Sequence, residues 1–197
     1  MKNRVIGLLF AIGCLGVTAS SQTPTASPEH QAGHSPEHFS MVASMPRSPT
    51  TTAWADVRVS HYTSNATTQR LAALLVEGGQ DALVKALEKE KDIGKAQLSH
   101  RVGFFYLKLI RSRKTPTGRR IVGVSDRPIN FLEAYRGGIS TDYKLGIVVL
   151  DLKLDKKGKE VGEGIVLYAS KVKIKKGKLD IEYIGAEPIK LRNVRKY

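Results

Sequence analysis

Five basic residues crowd a short part of this chain: Arg111, Arg113, Lys114, Arg119 and Arg120. They flank the tetrapeptide Thr-Pro-Thr-Gly at positions 115–118, whose composition is typical of a turn. If the flanking segments are antiparallel strands, the five side chains meet at one hairpin tip. Arginine binds phosphate and carboxylate groups through paired hydrogen bonds, and lysine adds a point charge. The spacing therefore predicts contact with an anionic polymer or an anionic membrane surface at this tip.

Three histidines follow one another at intervals of four, His30, His34 and His38. On a helix they would share a face and would be able to hold a transition metal. Pro28 and Pro36 interrupt this stretch and oppose helix formation. The bulk of residues 20–52 is Ser, Thr, Pro and Ala, so we expect a disordered linker here and predict no metal site. The role of the three histidines stays open.

Two pairs place a hydroxyl nucleophile beside a base, Ser60-His61 and Ser99-His100. Neighbours in sequence need not have catalytic geometry, because a triad is defined by the placement of its groups in space. The chain also lacks a G-x-S-x-G elbow, a phosphate-binding P-loop and a dinucleotide fingerprint. We therefore predict no catalytic residue, no cofactor and a non-enzymatic protein.

The chain is strongly basic, with 32 Lys and Arg against 18 Asp and Glu in 197 residues. A net charge of +14 favours polyanionic partners, although lysines on hairpin turns also oppose edge-to-edge aggregation. The sequence contains no specific nucleic-acid-binding motif. Cys14 is the only cysteine, so the chain has no internal disulfide and no cysteine-rich metal site.

The N-terminal segment predicts export. Residues 1–19 combine Lys2 and Arg4, an apolar run, and small residues before Ser20, which is the form of a secretory signal peptide. A periplasmic or secreted protein cleaved after Ala19 is the main prediction. Lipidation at Cys14 and an uncleaved membrane anchor are the alternatives. Residues 53–197 would then form a single domain.

The middle of the chain changes from strand to helix periodicity. After a strand at residues 53–62, Ser64 or Asn65 can cap a helix with a leucine stripe at Leu71, Leu74 and Leu75. The pair Gly78-Gly79 breaks that helix, and a second one continues to about Gly94. The pattern predicts a hairpin of two short helices packed on a sheet.

The remaining segments alternate with a period of two, which is typical of half-buried strands. Residues 103–115 and 119–124 predict one hairpin, and residues 144–195 predict four further strands on tight turns. Two of those turns repeat a lysine-glycine motif, at Lys157-Gly158 and Lys176-Gly177. Sequential strands on tight turns form an antiparallel meander. We expect an α+β fold in which a strongly curved antiparallel sheet of about six to seven strands packs on an N-terminal helical hairpin.

Several local patterns resemble those of a small group of secreted bacterial proteins that share a domain of unknown function. They are the helical pair at 74–87, the runs 118–121 and 126–129, the tripeptide 141–143 and the ending 187–195. The resemblance covers residues 54–197 and implies export and a shared domain, but it transfers no site residue. The order of elements is also similar to the helix-grip arrangement of START-type lipid-binding domains, without their long C-terminal helix. Fold likeness alone assigns no function.

Aromatic and aliphatic residues on both faces of several strands, including Phe104, Phe105 and Tyr106, point to an apolar surface. The leading hypothesis is an exported module that binds an apolar or amphipathic ligand, such as a lipid, or an envelope partner. The alternatives are contact with an anionic polymer or membrane surface through the basic hairpin, and a purely structural envelope component.

Overall fold

The computed structural model describes residues 2–5, 36–45, 48–98, 104–129, 142–184 and 187–197. It contains eleven strands and one helix within these ranges. In chain order they are β1 (Lys2–Val5), β2 (Glu37–Met45), β3 (Ser48–Val59), α1 (Asn65–Lys89), β4 (Gly94–Leu98), β5 (Phe105–Leu107), β6 (Leu109–Thr115), β7 (Gly118–Ser125), β8 (Leu145–Leu154), β9 (Glu160–Lys175), β10 (Lys178–Ile184) and β11 (Ile189–Lys196).

All strand pairings are antiparallel, and nine strands follow one another in the order β5-β4-β3-β2-β11-β9-β8-β7-β6. The first and last strands of this order, β5 and β6, are consecutive in the chain, and Lys108 is the single residue between them. The backbone carbonyl of Leu107 accepts a hydrogen bond from Ile93 (3.0 Å), whereas the amide of Lys108 donates to Val124 (2.9 Å). The chain thus changes partner from β4 to β7 within two residues, and the sheet curls into a nearly closed barrel.

The predicted four-strand meander is correct only as far as β10. β8, β9 and β10 pair in sequence, joined by the predicted tight turns. β11 comes after β10 in the chain but is not its neighbour in the sheet. It pairs instead with β9 and β2. At 16 residues, β9 is long enough to hold β11 along its first half and β10 along its second half. Its length therefore leaves β10 outside the barrel, where β10 also pairs with β1.

β2 lies inside the segment that was predicted to be a disordered linker. Residues 37–45 form a strand between β3 and β11, and β3 begins at Ser48, so the linker does not extend over residues 37–52. The side chains of Phe39, Met41 and Ala43 are fully buried. This period of two is the signal that the low apolar content of the surrounding segment obscured.

The sheet has two apolar layers. Side chains that point into the barrel form one core, with Phe39, Met41, Leu150 and Ile189 fully or almost fully buried. Alternate residues of β6 to β10 point outward and form a second core with α1. In β8, for example, Val148 and Leu150 belong to the interior while Ile147 and Val149 face the helix. β8 therefore reads as a continuous apolar run because both of its faces are covered.

The predicted break at the glycine pair is confirmed, because residues 65–89, the element α1, consist of two helical segments that meet at a kink. The N-cap of α1 is the predicted Ser64, whose hydroxyl accepts a hydrogen bond from the amide of Thr67 (3.1 Å). The kink lies at Gly79, with φ 68° and ψ −164°, a conformation that is essentially restricted to glycine. The kink lets both halves of α1 lie on the curved outer surface of the sheet.

The antiparallel sheet and the mixture of sheet and helix agree with the sequence prediction. A six- to seven-stranded sheet on a helical hairpin is contradicted by the eleven strands and the near-closure of the barrel. The physical reason is that β2 and β11, which lie far apart in the sequence, pair with each other and join the two parts of the sheet. No helix in the described ranges is long and apolar enough to cross a membrane.

Candidate functional site

The five basic residues of the predicted anion contact do lie on one hairpin, formed by β6 and β7. Arg113 pairs with Arg120 and Lys114 with Arg119 across the two strands. Their surroundings differ: Arg113 and Lys114 are exposed near the tip, whereas Arg111, Arg119 and Arg120 bind other parts of the protein. Binding of an anion at this hairpin remains a prediction, with Lys114 and Arg113 as its most accessible cations.

Two of the three engaged arginines, Arg111 and Arg120, are half-buried. Arg120 makes two hydrogen bonds to the carboxylate of Asp151, at 2.5 and 2.9 Å. Arg111 donates to the carbonyl oxygen of Thr63 (2.7 Å) and to Oδ1 of Asn65 (2.8 Å). Arg111 thereby ties the start of α1 to the β6–β7 hairpin.

Arg119 belongs to a polar cluster that closes one end of the barrel, formed by Glu37, Tyr62, Arg119, Glu160 and Lys196. Its guanidinium makes two 2.6 Å hydrogen bonds to Glu160 and contacts Glu37 at 2.9 and 3.1 Å. Lys196 also donates to Glu37 (2.7 Å), and the hydroxyl of Tyr62 donates to the same carboxylate. The guanidinium carbon of Arg119 lies 5.8 Å from the centre of the Phe39 ring. Two carboxylates and two cations thus balance each other above the apolar interior.

The protonation states of this cluster are poorly suited to acid–base chemistry. Burial alone would raise the pKa of Glu37, but hydrogen bonds from Arg119, Lys196 and Tyr62 outweigh it and lower the pKa to about 2. Burial and the hydrogen bond to Glu37 raise the pKa of Tyr62. A general acid or base works best when its pKa lies near the working pH. Glu37 stays ionised and Tyr62 stays protonated at neutral pH, so the geometry supports a stabilising role.

Sequence reasoning identified Arg119 but none of its partners. Glu37 lies 82 residues away and was assigned to the linker. Glu160 and Lys196 stand in segments with many charged residues of similar appearance. The only local signal was that Glu37 begins the alternating run of β2.

An open cleft of about 700 Å³ adjoins the tip of the β6–β7 hairpin. Six charged residues line it, Arg120, Asp151, Lys153, Asp155, Glu163 and Arg195. Three are basic and three are acidic, and Arg120 already binds Asp151. Because the charges cancel, the cleft favours neither an anionic nor a cationic ligand.

A second space lies between α1 and the outer face of the sheet, and we call it the apolar chamber. It has a volume of about 90 Å³, and all but one of its fifteen lining residues are apolar. They are Thr68, Leu71, Ala72, Leu75, Leu83, Leu87, Leu109, Val122, Val124, Leu145, Ile147, Val172, Ile174, Leu179 and Ile181. Since about 10–15 Å³ of such space is enough for one water molecule, the chamber has room for several carbon atoms.

α1 is fastened over the chamber by polar contacts at its kink and at its ends. The Gln80 side chain donates to the carbonyl oxygen of Asp142 and accepts from the amide of Val172, both at 2.8 Å. Arg70, near the start of α1, forms an ion pair with Glu90, the residue that caps its end. The kink is thus pinned to β9, and the two ends of the helix are tied to each other.

Among the described residues, the remaining sequence candidates do not form a reactive site. His38 lies on β2 and its Nε2 is 2.8 Å from Asp56, while His30 and His34 lie outside the described residues. Ser60 and His61 are exposed after β3, and Ser99-His100 falls outside the described residues. Within the described ranges, no group of three His, Cys, Asp or Glu residues is placed to hold a metal ion.

No protein-family model, curated protein or solved structure matches this chain. The resemblances to secreted bacterial proteins and to helix-grip domains therefore stay predictions. The barrel, α1 and the surfaces that they create are the features from which a function can be inferred.

Proposed function

We propose that this chain is a non-enzymatic binding module that holds a small apolar ligand, or the apolar part of an amphipathic ligand, in the apolar chamber beneath α1. The observation that carries the proposal is the lining of the chamber, which is apolar at every position except Thr68. A cavity of this kind gives water too few hydrogen-bonding partners, so it stays dry and accepts apolar guests. The barrel interior is less suitable, because it is filled by large buried side chains.

The fastening of α1 supports a route for entry. Gly79 is free of the helical backbone geometry, and nothing would lie within 4 Å of a Cβ atom at this position. A hinge there can lift one half of α1 when the Arg70–Glu90 ion pair opens, while Gln80 holds the kink on β9. Opening of this kind lets the chamber accept an acyl chain that is longer than the closed volume allows.

The test is a substitution that fills the chamber without altering the surface. Ala72 lines the chamber, whereas its neighbour Ala73 is exposed and does not line it. Ala72→Leu should weaken binding of xenon, an apolar probe small enough for the closed chamber, by about tenfold, because the added side-chain carbons occupy the space that the probe would fill. A tenfold change in affinity corresponds to about 1.4 kcal/mol. Ala73→Leu is the matched control and should leave the affinity unchanged.

Three results would contradict the proposal. They are failure of the unsubstituted protein to bind the probe, an unchanged affinity in both variants, and an equal loss of affinity in both variants. Native mass spectrometry of protein purified from its own cells adds a second readout. A lipid or other hydrophobic molecule retained by the unsubstituted protein and lost from Ala72→Leu identifies the ligand class. An empty protein would favour the structural role.

Export completes the proposal, because the leader-like residues 1–19 carry the expectation of a periplasmic or secreted module. Cell fractionation and the N-terminal sequence of the mature protein test it. Cleavage after Ala19 supports a freely exported module. A lipidated Cys14 supports membrane attachment, and an intact N-terminus in the cytoplasmic fraction contradicts export.

A further inference from the structure

One side of the barrel bears a group of aromatic and basic side chains, which we call the aromatic-basic face. It lies on the outer surface of β5, β4, β3, β2 and β11, whereas α1 packs on β6 to β10. Its members are Trp54, Arg58, Lys95, Phe104, Tyr106, Arg192 and Arg195. Their neighbours along the strands, such as Ala55, Val57 and Leu191, point into the barrel, so strand alternation places the members outside.

The strand register interleaves rings and cations on this face. Lys95 of β4 stands opposite Tyr106 on one side and Arg58 on the other. In another row Val42 of β2 stands between Trp54 and Arg192. Neighbouring strands are about 4.8 Å apart, so each ring lies within about 10 Å of a positive charge.

The rings are accessible to a ligand. Trp54 is 59% exposed and Phe104 is 41% exposed, which is unusual for large aromatic side chains. The ammonium group of Lys95 lies 4.8 Å from the centre of the Phe104 ring, and Phe104 meets Tyr106 edge-on at 5.5 Å. These contacts hold the rings in place while leaving exposed area on Phe104.

The charge of the face is complementary to a polyanion. Four cations, Arg58, Lys95, Arg192 and Arg195, share it with Asp56, which contacts His38 at 2.8 Å, and with the ion pair of Lys190 and Glu187 (3.5 Å). Arg195 stands at the edge of the face, where it also lines the mixed-charge cleft beside Glu163. Rings and cations alternate on it, whereas insertion into a lipid surface needs a continuous apolar patch. A ligand that presents flat rings and phosphates in alternation fits this pattern. In a duplex the faces of the bases are buried by stacking on neighbouring base pairs, so the pattern favours a single strand.

We propose that the aromatic-basic face binds single-stranded nucleic acid without sequence preference. Bases stack on Trp54 and Phe104, and the phosphates contact the four cations. Stacking on aromatic side chains tolerates any base, because every base has a π-face. The aromatic-basic face is separate from the apolar chamber, which lies on the opposite side of the barrel, between α1 and β6 to β10.

The experiment is fluorescence anisotropy of a labelled oligothymidylate titrated with the purified full chain over a series of salt concentrations. Four phosphate contacts predict that the logarithm of the association constant falls with the logarithm of salt concentration with a slope of about −2.8. Trp54→Ala and Phe104→Ala should each weaken binding by about tenfold. Arg192→Gln should reduce the magnitude of the slope by about 0.7.

Matched controls separate the face from the general charge of the protein. Val76 is 57% exposed on α1, so Val76→Ala removes a similarly exposed apolar side chain elsewhere. Lys178→Gln removes one exposed positive charge at the β9–β10 turn. Both should leave the affinity within about twofold of the unsubstituted protein, and circular dichroism should show that every variant is folded.

The proposal is overturned by undetectable binding at about 50 mM salt, where phosphate contacts are strong. It is equally overturned if the two control substitutions weaken binding as much as Trp54→Ala and Arg192→Gln. Competition supplies a third arm: phosphatidylglycerol vesicles that displace the oligonucleotide and bind in a Trp54-dependent way would assign the face to a membrane. Duplex DNA that binds more tightly than the single strand would remove the stacking argument.

Discussion

Replacement of Glu37 by glutamine tests the polar cluster that closes the barrel. The substitution keeps the shape of the side chain but removes the charge that faces Arg119 and Lys196. Only 5% of the Glu37 side chain is exposed, so solvent screens the lost interactions poorly. Loss of one partner from a buried ion pair costs about 3–5 kcal/mol. We expect Glu37→Gln to be destabilised by about this amount at neutral pH.

The same cluster predicts how this difference changes with pH. In the folded protein the pKa of Glu37 is about 2, compared with an ordinary value of 4.5. Because the folded pKa is the lower one, the stabilisation is complete above pH 4.5 and is lost as the pH falls towards 2. Each unit of pKa corresponds to about 1.4 kcal/mol, so acidification to pH 2 removes about 3 kcal/mol. Glu37→Gln has no such charge to lose.

The assay is urea unfolding followed by circular dichroism, for both proteins at pH 7 and at pH 2. Other carboxylates titrate in both proteins, so the difference between their free energies of unfolding reports on Glu37. That difference should shrink by about 3 kcal/mol on acidification. Asp151→Asn is the control, because it breaks the half-exposed pair with Arg120, which is worth about 1 kcal/mol or less. A difference that stays the same at both pH values would refute the reasoning.

Two further stability predictions follow from the backbone. Gly79→Ala should lower the free energy of unfolding by about 1–3 kcal/mol, because alanine is strained at φ 68° and ψ −164°; the exposed Glu77→Ala should change it by less than about 0.5 kcal/mol in the same urea titration. Lys176 has φ 50° at the β9–β10 turn, a geometry in which asparagine followed by glycine is favoured. Lys176→Asn should therefore raise the free energy of unfolding by about 0.5–1 kcal/mol and raise the unfolding temperature. Lys157→Asn should give no gain in a parallel thermal melt, and equal melting temperatures for both variants would contradict the turn argument.

Much of the local structure was predictable, because neighbouring residues determine it. Ser64 caps α1 through a bond to a residue three positions away, and Gly79 interrupts the helix where the glycine pair stands. The turn at Lys176-Gly177 joins strands whose own alternation defines them. The Thr-Pro-Thr-Gly turn likewise places the five basic residues on one hairpin.

The closure of the barrel was not predictable in this way. β2 and β11 pair with each other although their sequences lie about 150 positions apart, and each also pairs with another strand. Alternation marks a strand but does not say which of ten others it pairs with. The local pattern is equally compatible with a different arrangement, in which β11 pairs with β10 across a tight turn.

The candidate sites show the same difference between features that depend on neighbouring residues and features that depend on distant contacts. The spacing of the leucines predicts the apolar face of α1, but only the packing of that face on β6 to β10 creates the apolar chamber. Arg119 looked like an exposed anion contact, and the fold instead buries it against Glu37 and Glu160.

The sequence by itself determined the basic charge, the strand and helix periods, the turns and the capped start of α1. These depend on side-chain type and on interactions between residues a few positions apart. Only the tertiary structure decided which strands are neighbours, which cations are neutralised and which aromatic rings remain exposed. The physical reason is that these properties depend on contacts between residues distant in sequence. Such contacts are selected by the packing of the whole chain rather than by any local pattern.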